Sequence, residues 1–206
     1  IDPTTNKEWN MNCLSLGNSM GTGSQGLTGE VIEIYGMKEL ENTENEQING
    51  KIVFLNEPLD SKMYNTQLAY KKASAQRNFG TSLASSKGAI AVIIRSLSIS
   101  QNDFPHTGYM EYKEGVNKIP SVAISTNAAD QLSKQLNKVA KTKVYLENYC
   151  EILYQVQSFN VIGEKWGSEF PDKIIAVGGH IDSWDVGEGA HDDAGACLQS
   201  IEVIRA

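Results

Sequence analysis

Cysteine is scarce in these 206 residues. Cys13, Cys150 and Cys197 form an odd set with no CxxC spacing. A disulfide framework and a thiolate zinc site are therefore not expected, and free thiols are the default. Long apolar runs are missing too. The longest, near Ile90–Ile94 and Ile174–Val177, fall far short of the ~20 residues that span a bilayer. Basic residues are outnumbered, with 18 Lys and Arg against 25 Asp and Glu and a formal charge of −7. Phosphate backbones are held by clustered Lys and Arg, so no nucleic acid is expected as a partner. No Asn-x-Ser/Thr sequon occurs, which disfavours heavy glycosylation and leaves export open. The glycines of residues 13–26 lie in a turn-rich stretch without Gly-x-x-x-x-Gly-Lys, so a phosphate cradle is not expected there.

What remains is the composition of a globular domain of ordinary hydrophobicity, long enough to bury a core. Ile1 opens the chain without a methionine or an apolar leader, as a processed or artificial end does. From Gly29 the pattern is that of alternating strands and helices. Glu30–Tyr35 and Lys51–Leu55 read as strands, and Gly88–Ile94 reads as a buried strand. Residues 62–87 read as a helix with Leu68, Ala75, Phe79 and Leu83 on its apolar stripe. Ile119–Ile124 is a further strand, Ser125 caps a helix to Lys138, and Val144–Leu146 closes the module. Gln155–Gly163 alternates as a half-buried strand. Ile174–Gly179 reads as an all-apolar one, as at the beginning of a second α/β sheet. A last helix starts near Asp192, with Cys197, Leu198, Ile201 and Ile204 on a core face. It meets no Gly, Asn or Pro stop signal before Ala206, so the sequence reads as cut within a domain.

The chemistry concentrates in Gly178–Gly195. Two of the three histidines, His180 and His191, and the aspartates 182, 185, 192 and 193 fall here, directly after an apolar stretch and ahead of a helix. Open α/β sheets place ligands at the carboxyl ends of their strands, and imidazole with carboxylate is a zinc ligand set. Asp182 lies two residues from His180, close enough to fix its tautomer. Asp192, at a helix start, can be aimed back at the strand end, and two carboxylate oxygens can bridge two cations. The plain alternative is a surface His–Asp hydrogen bond beside an Asp–Asp helix cap.

The stretch Gly-Gly-His180-Ile-Asp182-Ser-Trp-Asp-Val-Gly-x-Gly-Ala-x-Asp192-Asp193-x-Gly resembles the first metal-ligand block of the co-catalytic dizinc exopeptidases. Gly50-Lys-Ile-Val-Phe, Ala91-Val-Ile-Ile-Arg95-Ser96, Pro105-His-Thr-Gly108 and Gly115-Val-x-Lys-Ile-Pro120 extend the resemblance over most of the chain. It implies a protease-associated domain at 29–148 inserted in a mixed-sheet α/β/α zinc peptidase domain. Residues 1–28 would be the start of that peptidase domain, and 149–206 its N-terminal part. It further implies His180 as ligand of one zinc, Asp192 as the carboxylate shared by two Zn2+, and Asp182 as the catalytic-site aspartate that orients His180. The implied reaction is hydrolysis of dipeptides or short peptides with free termini, in a secreted or lysosomal homodimer. The family's base and remaining ligands are expected beyond Ala206, so these 206 residues alone are expected to be inactive and to bind zinc weakly. His191 is expected to be a spacer or supporting partner, and His106 a loop residue. Trp184 and Asp185 are expected to brace the loop, and Glu188 to be a solvated charge. The competing reading is a non-catalytic protein-interaction module, against which the presence of His180, Asp182 and Asp192 together counts.

Overall fold

A computed structural model describes residues 1–206, which divide into two compact units, Ile1–Tyr154 and Gln155–Ala206. The first is a mixed six-stranded sheet with helices. Its elements are β1 (Cys13–Ser15), β2 (Leu27–Ile34), α1 (Gly36–Asn42), α2 (Asn45–Ile48), β3 (Ile52–Leu55), α3 (Thr66–Ser86), β4 (Ala91–Arg95), β5 (Ser121–Ile124), α4 (Thr126–Lys138) and β6 (Lys143–Leu146). The strand order is β1-β5-β4-β3-β2-β6. The four middle strands are parallel, and β1 and β6 close the edges antiparallel.

Strands that are covered on both faces need apolar residues at every position. Ile52–Leu55 and Ala91–Ile94 meet that demand, and every residue of both strands, the terminal Arg95 included, is buried. Their side chains alternate between two cores. Val53, Leu55, Val92 and Ile94 join Leu40, Ile48 and Ala84 in one. Ile52, Phe54, Ala91 and Ile93 join Ala129 and Leu132 of α4 in the other. Each of the larger side chains, Val, Leu, Ile and Phe, contributes roughly 1.5–3 kcal/mol. At the edge, β6 reverts to strict alternation, with Val144 and Leu146 buried and Lys143 and Tyr145 exposed.

Helix α3 corrects the expected stripe. Leu68 and Phe79 are exposed, and the buried residues include Ala69, Ala73, Gln76, Gly80 and Ala84. Small residues win this face because the helix lies close to the sheet. A Cβ on Gly80 would sit 2.3 Å from Leu55 Cδ1. Asn65 and Ser125 cap α3 and α4, accepting from Leu68 N and Ala128 N at 3.0 and 3.1 Å. Buried Arg95 donates to Asn56 at 3.2 Å and Asp130 at 2.6 Å, and Asn56 donates to Glu33 at 2.6 Å. This chain of contacts ties β2, β3, β4 and α4 together at the strand ends.

Cys13–Ser15 and Leu27–Thr28 belong to this same sheet. β1 pairs with β5, and Ile1 exchanges backbone hydrogen bonds with Lys143.

The second unit differs from expectation. Neither Gln155–Gly163 nor Ile174–Gly179 is a strand, and its one regular element is α5 (Ala194–Arg205). A strand exists only through a neighbour that takes its backbone groups, and no residue after Leu146 is paired in a sheet. Their apolar side chains face solvent: Val161 is 89% exposed and Ile174 92%. The expected core face of α5 is absent for the same reason. None of its residues is buried, and Leu198, Ile201 and Ile204 are exposed. No helix of the chain is long and apolar enough to cross a membrane.

Candidate metal centre

The second unit nevertheless builds one specific constellation. The chain runs out of the apolar segment at Gly178–Gly179, presents His180, turns at Trp184–Gly187 through a 3.0 Å backbone hydrogen bond, and enters α5 after Asp192 and Asp193. Gly179 abuts the helix. A Cβ there would lie 2.8 Å from Cys197 N and 2.9 Å from Ala196 Cβ. That approach sets the end of the apolar segment against the start of the helix, and the two candidate ligands meet there.

His180 Nε2 lies 2.9 Å from Asp192 Oδ1. Its Nδ1 lies 2.9 Å from the Asp182 carbonyl oxygen and 3.2 Å from Asp182 Oδ1. Asp182 therefore orients the ring, mainly through its backbone and secondarily through its carboxylate. All three partners are pure acceptors. A neutral imidazole has one donor, so whichever nitrogen carries it, the other turns a lone pair towards an acceptor. Both contacts are met when both nitrogens are protonated, or when Nδ1 is protonated and Nε2 faces a cation. The Asp182 carbonyl accordingly raises the His180 pKa above its ordinary value. The Asp192 hydrogen bond and the charges of Asp182 and Asp193 add to this, against partial desolvation.

Asp193 was not singled out as a site residue by sequence reasoning. It is the N-cap of α5, yet its side chain makes no cap hydrogen bond. Its carboxylate instead accepts from the His180 backbone N–H at 3.2 Å, and it lies 3.9 Å from Nε2. The paired aspartates signalled a cap, and only the fold reveals that the second is diverted. Cys197 is likewise not a core residue. Its thiol donates to the His180 carbonyl at 3.3 Å. The other residues stand apart. His191, Glu188 and Trp184 are all exposed. The backbone N–H of His106, in the first unit, donates to Ser96 Oγ at 2.8 Å.

The donors fit zinc in kind. Ligands about 2.1 Å from one tetrahedral ion stand about 3.4 Å apart, so the 2.9 Å pair has to open by about half an ångström. Both side chains are at least half exposed and free to do so. They do not suffice in number. No group of three or more His, Cys, Asp or Glu is arranged to hold an ion, whereas catalytic zinc takes three protein ligands.

Residues 160–206 match the model of Peptidase family M28. The chain is 36% identical over 191 residues to carboxypeptidase Q of Homo sapiens, covering 93% of this chain and 39% of that protein. It is 34% identical over 204 residues to carboxypeptidase Q of Mus musculus, covering 99% and 41%. Among solved structures it is similar to a peptidase M28 precursor from Shewanella amazonensis SB2B, with a TM-score of 0.82 at 35% identity over 88% of this chain and 40% of that one. The chain thus spans about two fifths of the length of the curated relatives it matches.

Proposed function

Because this chain belongs to peptidase family M28, we propose that it carries the first part of a zinc-dependent exopeptidase centre. In this reading His180 is a ligand of one zinc and Asp192 the carboxylate shared by two. Asp182 is the positioning residue that holds the imidazole with Nδ1 protonated and Nε2 facing the ion. Asp193 fixes the backbone beneath the ring. Bound zinc supplies Lewis acidity and a hydrolytic water at neutral pH. The reaction is cleavage of short peptides, dipeptides among them, beside a free terminus. Residues 29–148 serve as an inserted protease-associated domain. The same reading carries a secreted or lysosomal setting and a homodimer.

The observation that supports it is the His180 ring, held between Asp182 and Asp192 with both nitrogens facing acceptors. With only two donors present, the 206-residue chain is inactive on dipeptides and binds Zn2+ weakly. Calorimetric titration with Zn2+ tests this. Affinity is expected to be low for the natural sequence and to fall at least tenfold in His180→Ala. Equal binding by both would remove the histidine from the ligand set and favour the non-catalytic interaction module.

A further inference from the structure

Cys13 and Cys150 are far apart in the sequence and are brought to one place by the first unit. Cys13 lies in β1, where alternation puts its side chain on the same face as Ser15. Cys150 follows β6 and belongs to no regular element. Asn148 joins the two positions. Its Nδ2 donates to Ser15 Oγ at 3.1 Å and reaches Cys150 Sγ at 3.8 Å. The backbone around Cys150 is anchored there as well. Thr22 N–H donates to Asn148 O at 3.0 Å, and Asn148 N–H donates to Thr22 Oγ1 at 3.1 Å. A Cβ on Gly21 would sit 2.7 Å from Cys150 O.

The two thiols also sense each other. Burial pushes the Cys13 thiol up, and the charge of Cys150 pushes it further, as a close neighbour does. Both cysteines are free and only half-buried, so a small reagent reaches them. Little holds Cys150 in its present position. Its thiol contact to Asn148 is long, and Asn148 Oδ1 is buried without a donor. A cluster short of hydrogen-bond partners gives way at little cost.

We propose that Cys13 and Cys150 form a reversible dithiol–disulfide pair that staples β1 to the segment following β6. The oxidant is a small-molecule disulfide, oxidised glutathione. The Cys150 thiolate attacks one of its sulfurs, which forms a mixed disulfide and releases one glutathione. Cys13 then attacks the Cys150 sulfur, forming the Cys13–Cys150 bond and releasing the second glutathione. The two protein thiols are oxidised, the glutathione disulfide is reduced, and the two protons leave on the glutathione thiols. Burial keeps Cys13 protonated until this second step, so the first attack falls to Cys150. The bond closes most of the first unit into one loop, which stabilises the fold by restricting the unfolded chain. The pair lies wholly within Ile1–Tyr154 and is independent of the metal centre.

The test treats the folded 206-residue chain with oxidised glutathione at neutral pH, alkylates the remaining thiols and maps the unreduced digest by mass spectrometry. A peptide pair joining Cys13 to Cys150 is expected as the main product, with Cys197 outside it. The melting temperature is expected to rise by at least about 5 °C, and dithiothreitol to reverse both changes. Cys13→Ser and Cys150→Ser are each expected to abolish the rise, and Cys197→Ser to keep it. Mixed glutathione disulfides that persist at Cys13 or Cys150 without joining, thiols left unreacted at both, a bond from either to Cys197, or a joined pair that melts no higher than the reduced chain would each overturn the proposal.

Discussion

Ile52-Val53-Phe54-Leu55 and Ile174-Ile175-Ala176-Val177 are near twins in composition and opposites in structure. The first is β3, fully buried with a strand on either side. The second is unpaired and exposed. An apolar run therefore states a demand for cover and says nothing about whether cover is present. In the first unit, α3, α4 and neighbouring strands meet that demand. In the second, residues 155–206 hold one helix and no paired strand. The second unit keeps its order where side chains and backbone meet locally, around His180.

The contrast can be broken by mutation. Phe54→Ala, at a fully buried position, is expected to cost about 3–5 kcal/mol by denaturant unfolding. Ile175→Ala, at 88% exposure, is expected to stay within about 0.5 kcal/mol. Equal costs would mean that Ile175 is covered in solution. Hydrogen exchange sharpens the same contrast without mutation. Amides of β3 and β4 are expected to exchange only through global opening, and those of 155–178 at close to free-peptide rates.

The two kinds of helix start offer a finer comparison. Ser125→Ala removes a real cap and is expected to lower stability by about 1 kcal/mol. Asp193→Ala removes none, so melting is expected to be unchanged while the His180 amide loses its protection.

The smallest effect is on pH. His180 is expected to titrate above the ordinary imidazole value of about 6.5, and Asp192→Asn to bring it down, both read by ring NMR shifts. A raised folded value means that the contribution of the charged ring is full below the unfolded pKa. It is lost as pH rises through the folded one.

Most of the first unit was legible in the sequence because buried parallel strands write themselves as continuous apolar runs. Lys51–Leu55, Gly88–Ile94 and Ile119–Ile124 overlap β3, β4 and β5 to within a few residues. β1 was not legible, since three residues carry no period. The buried face of α3 was misread because close packing favours Gly80 and Ala73 over Leu68. In the second unit the same apolar signal led to two strands that do not form. Pairing is a property of neighbours, and a segment's own residues do not encode it. At the candidate metal centre, residue type and spacing drew attention to His180, Asp182 and Asp192, and the resemblance gave them their expected roles. The diversion of Asp193 and the thiol of Cys197 depend on how closely Gly179 meets α5, a distance no residue pattern records.

That meeting is local in the chain. From Gly179 to Cys197 the chain carries the glycine contact, the clamp on the His180 ring and the first turn of α5, so His180 and Asp192 are brought together by nineteen consecutive residues. Every side chain that faces the His180 ring nitrogens comes from within this stretch.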